Sequence, residues 1–197
     1  MVNLLILLLS FSGLLANDLV EHLSGINAIS GHFEMRVIDE DAFELNRSSG
    51  EFAFQKPKLF YWNQTQPQLF QVISDGYYLW INDPSIQQVQ KRELKQLDES
   101  FPLLMLLAQP EKLIEHYHID KISNTIASTY YLTPQHKTSV EKISIVIKQD
   151  QIQQLNMTDH MQIQTQINLI HNHIDSTDLS SKFQFIPPVN SDVIESK

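Results

Sequence analysis

The chain has 197 residues, of which 42% are hydrophobic and 19% charged, values typical of one globular domain with a substantial core. Its formal net charge of -9 argues against a nucleic-acid partner, because binding to phosphates relies on a basic surface. The lack of cysteine excludes disulfides and cysteine-ligated metals.

The start of the chain predicts an export signal. Met1–Ala16 contains a leucine-rich run of the length expected for the hydrophobic part of a signal peptide. An uncleaved membrane anchor is the alternative, but the run is short for a span, and the polar residues Asn17 and Asp18 follow at once. We expect cleavage, with a signal peptide over residues 1–16 and one domain over residues 17–197.

A helix and two strands are predicted next. Asp18 can cap a helix over Asn17–Ile29, in which apolar residues recur every three or four positions. Strands over Gly31–Ile38 and Phe43–Gln55 follow, separated by an acidic turn.

The most apolar segment covers residues 56–90. Three short runs, Leu59–Trp62, Leu69–Ile73 and Tyr77–Ile81, are bounded by turn residues and predict strands. Large apolar side chains occur at successive positions, and side chains alternate across a strand. The sheet must therefore be covered on both faces, or must hold something apolar.

A leucine-rich helix interrupts the strands. Ser100 can cap it, Pro102 suits its first turn, and Gln109-Pro110 ends it. Residues 103–108 are all apolar, which indicates a helix that is buried or that faces an apolar cavity. A second short helix is predicted over Glu111–Tyr117.

Strand patterns then return to the end of the chain. They cover Ile126–Leu132, Lys142–Lys148, Gln151–Asp159, Met161–Ile170 and, last, Phe183–Phe185. Short strands at regular spacing with few helices predict a mainly β fold, an antiparallel sheet curled towards a barrel with helices on one side.

Motifs for catalysis are absent from the sequence. There is no nucleophile elbow, no glycine-rich phosphate loop and no His-Glu-x-x-His. The best polar clusters are an acidic turn, which we interpret as a solvated loop, and two histidine pairs without a clear third metal ligand. These residues are Asp39, Glu40, Asp41, His116, His118, His171 and His173. We expect a protein that is not an enzyme and has no cofactor or metal.

Five short motifs, in order along the chain, carry a resemblance to a known family. They are Lys56-Pro57-x-x-Phe60-x-Trp62, Gln66-Pro67, Ser74-Asp75-Gly76-x-x-Leu79-Trp80, Asp83-Pro84-x-x-x-Gln88 and Phe183-x-Phe185-x-Pro187-Pro188. Together they resemble the LolA-type periplasmic carriers of outer-membrane lipoproteins, over about Asp18 to Val193.

The resemblance implies an unclosed, strongly curved antiparallel half-barrel, with a lid of short helices over a hydrophobic cavity. The implied cavity residues are Phe33, Phe52, Phe60, Trp62 and Trp80. The implied lid residues are Leu19, Leu23, Leu103, Leu104, Met105, Leu106 and Leu107. The family commonly has an arginine that latches the lid where this chain has Lys56, which offers a mobile point charge without a planar fork. The alternative is that these residues form an ordinary, tightly packed core with no cavity.

The implied function is a monomeric periplasmic carrier for acylated lipoproteins. Such a carrier takes its cargo from an inner-membrane ABC transporter and delivers it to an outer-membrane receptor. Two alternatives stay open: another exported binder of apolar ligands, such as a lipoprotein receptor or an envelope sensor, and a hydrolase with an unrecognised site.

Overall fold

The computed structural model describes residues 12–94, 101–173 and 179–196. Within them the chain forms one sheet of twelve strands. The strands are β1 (Ala28–Ile38), β2 (Glu44–Gln55), β3 (Leu59–Gln66), β4 (Phe70–Asp75), β5 (Tyr78–Asp83), β6 (Gln88–Glu93), β7 (Tyr117–Ser123), β8 (Ala127–Pro134), β9 (Val140–Lys148), β10 (Gln151–Asp159), β11 (Gln164–His173) and β12 (Asp192–Ser196).

The sheet is antiparallel except at one edge. Its order is β12-β6-β5-β4-β3-β2-β1-β11-β10-β9-β8-β7, and only the β12–β6 pair is parallel. The edge strands β12 and β7 do not pair with each other, so the barrel stays open. The predicted fold class, an unclosed half-barrel covered by short helices, is confirmed.

Alternation along the strands gives the sheet one apolar face, which we call the concave face. Phe33 on β1 lies opposite Leu169 on β11, and both are buried. Phe52 and Phe54 on β2, two residues apart as one face requires, are buried in the same core. The core therefore lies between this face and the helices.

Three α-helices cover the concave face. They are α1 (Ser12–Gly25), α2 (Pro102–Ala108) and α3 (Leu113–His116), and short 3₁₀ helices lie at Pro84–Ile86, Pro110–Lys112 and Ser180–Phe183. None of the helices in the described ranges is long and apolar enough to cross a membrane.

The helix boundaries differ from the predictions. Within the described residues α1 covers Ser12–Gly25, so it includes residues on both sides of the predicted cleavage after Ala16, and it ends at Gly25 rather than at Ile29. The predicted cap Ser100 and the first eleven residues of the predicted signal peptide lie outside the described residues. The predicted helix over Glu111–Tyr117 is a 3₁₀ turn followed by one α-helical turn, because Tyr117 already belongs to β7.

Three strands were not predicted, and one predicted strand is wrong. β6, β7 and β12 are short and partly polar, so none of them stands out by its pattern. Phe183–Phe185 is not a strand, because Phe183 ends a 3₁₀ helix and is buried against the convex face of the sheet. Met161 lies in the turn before β11 rather than in the strand.

Candidate functional site

A cavity of about 280 Å³ lies between the concave face and the start of α2. Five strands and the start of α2 contribute to its wall, and all but two of the lining side chains are apolar. The lining residues are Met35, Val37, Phe60, Trp62, Gln64, Phe70, Val72, Phe101, Leu103, Met157, Thr165 and Ile167.

Strand geometry explains why these residues meet. Phe60, Trp62 and Gln64 are two residues apart on β3, so all three face the cavity. Phe70 and Val72 do the same on the neighbouring strand β4, where Val72 pairs with Trp62. The wall is thus a property of strand register, and a one-residue slip would turn it outwards.

The cavity is open to solvent on one side. Four lining residues, Phe60, Val72, Leu103 and Ile167, are buried, whereas the other eight keep partial exposure. Ligand pockets in proteins have volumes of roughly 300–1,000 Å³. The present cavity is therefore at the small end for a ligand.

Of the five aromatic residues predicted for the cavity, two line it and two lie behind it. Phe60 and Trp62 line it. Phe33 and Phe52, each 1% exposed, lie in the core behind it, and the ring of Phe33 stacks on Trp62 with centroids 3.5 Å apart. The cavity therefore has an aromatic backing.

Trp80, also predicted for the cavity, lies on the convex face. Its Nε1–H donates to Asp75 Oδ2 over 3.1 Å, and its ring lies 5.5 Å from that of Phe185. The flanking residues Leu79 and Ile81 occupy the concave positions of β5. The structure places Trp80 outside the cavity, contrary to the prediction.

The predicted lid residues all pack over the concave face. Leu19 and Leu23 on α1 are fully buried, and among the predicted lid residues on α2 only Met105 is partly exposed. Leu103 also lines the cavity. The buried leucines of α2 are Leu103, Leu104, Leu106 and Leu107.

Lys56 contacts α1, where the resemblance implies a latch. Its Nζ donates a hydrogen bond to the carbonyl oxygen of Ser24, in the last turn of the helix. Its backbone N–H donates to the carbonyl of Asn27 over 2.8 Å. A cation at a helix C-terminus bonds otherwise unsatisfied carbonyls and opposes the helix dipole.

A second polar contact holds the other half of α1. Asp18 Oδ2 accepts hydrogen bonds from Lys121 Nζ on β7 and from the hydroxyl of Tyr130 on β8, the latter over 2.8 Å. These bonds, that from Lys121 above all, lower the pKa of Asp18. Sequence reasoning treated Asp18 only as a helix cap, and nothing local indicated partners more than 100 residues away.

The acidic turn and the first histidine pair show no site. Asp39 Oδ1 accepts from the backbone N–H groups of Asp41 and Phe43, so it shapes its own hairpin. On the surface, His118 Nε2 lies 3.4 Å from Asp120 Oδ1. Within the described ranges no three potential ligands form a metal cluster. The side chains of His171 and His173 lie outside the described part.

Comparison with known proteins identifies the family. Residues 24–186 match the family described as "Outer membrane lipoprotein carrier protein LolA". The chain is 28% identical over 181 residues to the outer-membrane lipoprotein carrier protein of Alcanivorax borkumensis, covering 91% of this chain and 87% of that protein. It is 27% identical over 190 residues to the protein of that name from Shewanella frigidimarina, covering 94% and 89%.

A solved structure shares the fold. An uncharacterized conserved protein from Thermus thermophilus superposes with a TM-score of 0.59 at 8% identity, over 92% of this chain and 99% of that one. The range 24–186 that matches the family model includes the cavity strands β1, β3, β4, β10 and β11 together with α2. The chain therefore belongs to the LolA family of outer-membrane lipoprotein carrier proteins.

Proposed function

We propose that this protein is a periplasmic carrier that shields the acyl chains of lipoproteins in its apolar cavity. It takes them from an inner-membrane ABC transporter and delivers them to an outer-membrane receptor. The observation that carries the proposal is the cavity of about 280 Å³ lined by Phe60, Trp62 and the start of α2, in a chain of the LolA family.

The chemistry of the cavity suits binding rather than catalysis. Among the described residues that line it, the only polar side chains are the amide of Gln64 and the hydroxyl of Thr165. The Gln64 amide already donates to the carbonyl of Gln68 over 3.0 Å. Acid–base or nucleophilic catalysis needs an activated group, and none of the lining residues in the described ranges has a carboxylate, an imidazole or an amine.

The energetics of acyl chains require such a carrier. Each methylene removed from water contributes about 0.8 kcal/mol, so a multiply acylated protein does not cross an aqueous space alone. Contacts with Phe, Trp, Met and Leu side chains are non-directional, and the net affinity stays modest enough for transfer to a receptor. The open side of the cavity gives the chains a route in and out.

Dye displacement tests the binding step. Mature protein is titrated with bis-ANS, and then with a synthetic triacylated lipopeptide or, as control, the same peptide without acyl chains. We expect saturable dye fluorescence that falls only with the acylated peptide. If the dye does not bind saturably, or if both peptides displace it equally, the cavity does not hold acyl chains.

The transfer steps need a separate assay. Inner-membrane vesicles that contain a lipoprotein and the ABC transporter are incubated with the carrier, with or without ATP. We expect ATP-dependent appearance of a soluble complex, which then loses its lipoprotein to outer-membrane vesicles. A lipoprotein that stays in the inner-membrane vesicles under both conditions would leave only the binding role.

A further inference from the structure

Helix α1 is fixed to the sheet near its C-terminal end and at its middle. Near the C-terminal end, Lys56 Nζ donates to the Ser24 carbonyl. One and a half turns earlier, the Asp18 carboxylate accepts from Lys121 Nζ and from the Tyr130 hydroxyl. Between these contacts, Leu19 and Leu23 are fully buried. Polar contacts to β7, β8 and the segment after β2 thus join α1 to both halves of the sheet.

The second contact is well built for an anchor. Tyr130 is 3% exposed, so its hydroxyl is positioned by the core and not by solvent. Lys121 Nζ also lies 5.1 Å from the centre of the Tyr130 ring, and its side chain keeps only 21% exposure. Hydrogen bonds to a charged group are the stronger class, and this carboxylate has two.

The side chains of helix α2 cannot form an ion pair or a hydrogen bond with a charged group. Its seven residues, Pro-Leu-Leu-Met-Leu-Leu-Ala, carry no side-chain nitrogen or oxygen atom. It is held by apolar packing, together with a weak bond from the Tyr117 hydroxyl to Met105 Sδ over 3.8 Å. Acyl chains can replace apolar packing with contacts of the same kind, but they cannot replace an ion pair.

The cavity lies next to α2, the helix that has no ion pair to anchor it. Phe101 and Leu103, at the start of α2, form part of its wall, and none of the described side chains of α1, over residues 17–25, does. At about 280 Å³ the space is small for a multiply acylated cargo, so part of the cover must move.

We propose that α2 is the moving part of the lid, and that α1 is a fixed part, pinned by Lys56 at its C-terminal end and by the contacts of Asp18 with Lys121 and Tyr130 at its middle. This rests on the proposed function, since the cargo fills the space that α2 vacates. The buried leucines of α2 are then replaced by acyl chains on the same strands.

Single cysteines test the assignment in a chain that has none of its own. Leu23→Cys on α1 and Leu104→Cys on α2 form a matched pair, because both leucines are fully buried. Without lipid, we expect a small maleimide to label position 104 at least about tenfold faster than position 23, since opening of α2 breaks no ion pair.

The anchor is tested by adding Lys121→Met, which keeps most of the side chain but removes its charge. We expect faster labelling at position 23 and an unchanged rate at position 104, and Tyr130→Phe should act in the same direction. Equal rates at the two positions overturn the proposal. So does an anchor variant that accelerates both positions alike or neither. Melting curves of each variant show that it is folded.

Hydrogen exchange with the triacylated lipopeptide separates this proposal from the proposed function. We expect faster exchange over residues 102–108 and no change over residues 17–25, the part of α1 that the mature protein keeps. Exchange that changes mainly over residues 17–25 contradicts the assignment. If the lipopeptide does not bind, the proposed function fails, whereas the labelling rates without lipid still decide which helix opens.

Discussion

The ring of Phe33 stacks on the indole of Trp62, with centroids 3.5 Å apart and planes inclined by 19°, although a whole strand separates their backbones. Phe33 belongs to β1 and Trp62 to β3, and β2 lies between them. The residue of β2 opposite Phe33 is Gly50. Because glycine has no side chain, the two rings can meet above β2, and the cavity gains a continuous aromatic backing.

Gly50→Ala should destabilise the fold strongly. A Cβ at this position would lie 2.0 Å from the carbonyl oxygen of Asn63, so the β2–β3 backbone must shift. We expect a loss of at least about 2 kcal/mol in the free energy of unfolding, measured by urea denaturation. Gly25→Ala, where a Cβ has no atom within 4 Å, is the matched control and should cost nothing. Similar losses for both variants would contradict this explanation.

Phe60→Glu should abolish lipopeptide binding. Phe60 is 2% exposed and lines the cavity, so an unpaired carboxylate there would face acyl chains. We expect at least about a tenfold loss in displacement of bis-ANS by the lipopeptide. Phe70→Glu, at a partly exposed lining position, should act likewise with less risk to folding. Ile186→Glu, at an 87% exposed position, is the control. Unaltered displacement in both cavity variants would remove this surface from the site.

Ala42→Gly should stabilise the hairpin between β1 and β2. Ala42 has φ 62°, a left-handed conformation that is strained for a residue with a side chain. Relief of the strain exceeds the greater flexibility of glycine, so we expect a gain of about 0.5 kcal/mol in thermal or urea unfolding. Ala127→Gly, in β8, should instead lose about 0.5–1 kcal/mol. A loss at position 42 would show that the turn conformation is not strained.

Asp18 should make folding sensitive to acid. Hydrogen bonds from Lys121 and Tyr130 lower its pKa below the ordinary value of 3.8. A group whose pKa is lower in the folded state stabilises it above the unfolded pKa, and this contribution disappears as the pH falls through the folded pKa. NMR titration of the carboxyl carbon should show the lowered pKa, and Lys121→Met should raise it towards 3.8. An identical pKa in both proteins would exclude the ion pair as the cause.

Local pattern predicted much of the sheet. The strands from β1 to β5 and from β8 to β11 were found from their apolar runs and turn residues, with ends displaced by a few residues. The leucine helix α2 was found because six apolar residues that follow a proline in the first turn have few other solutions. A pattern of apolar, polar and turn residues that repeats within about ten residues can be recognised in a sequence.

Three features could not be found in this way. The sequence could not tell which face of β5 carries Trp80. Both faces have large apolar side chains, so no alternation of polar and apolar residues shows which face points to solvent. Strand β12 has only two apolar residues and gains its place by pairing with β6. The contact between Asp18 and Lys121 joins residues 103 positions apart, and only the folded sheet brings them together.

The pairing of β1 with β11 also sets the order in which the molecule can be completed. On the side of β1 that faces away from β2, residues 30–38 pair with residues 164–173, so the seam that joins the two halves of the sheet cannot close until those residues are present. Until then one side of β1 is an unsatisfied edge, the type of surface through which incomplete chains aggregate. This half-barrel should therefore be most prone to aggregation before its eleventh strand is in place.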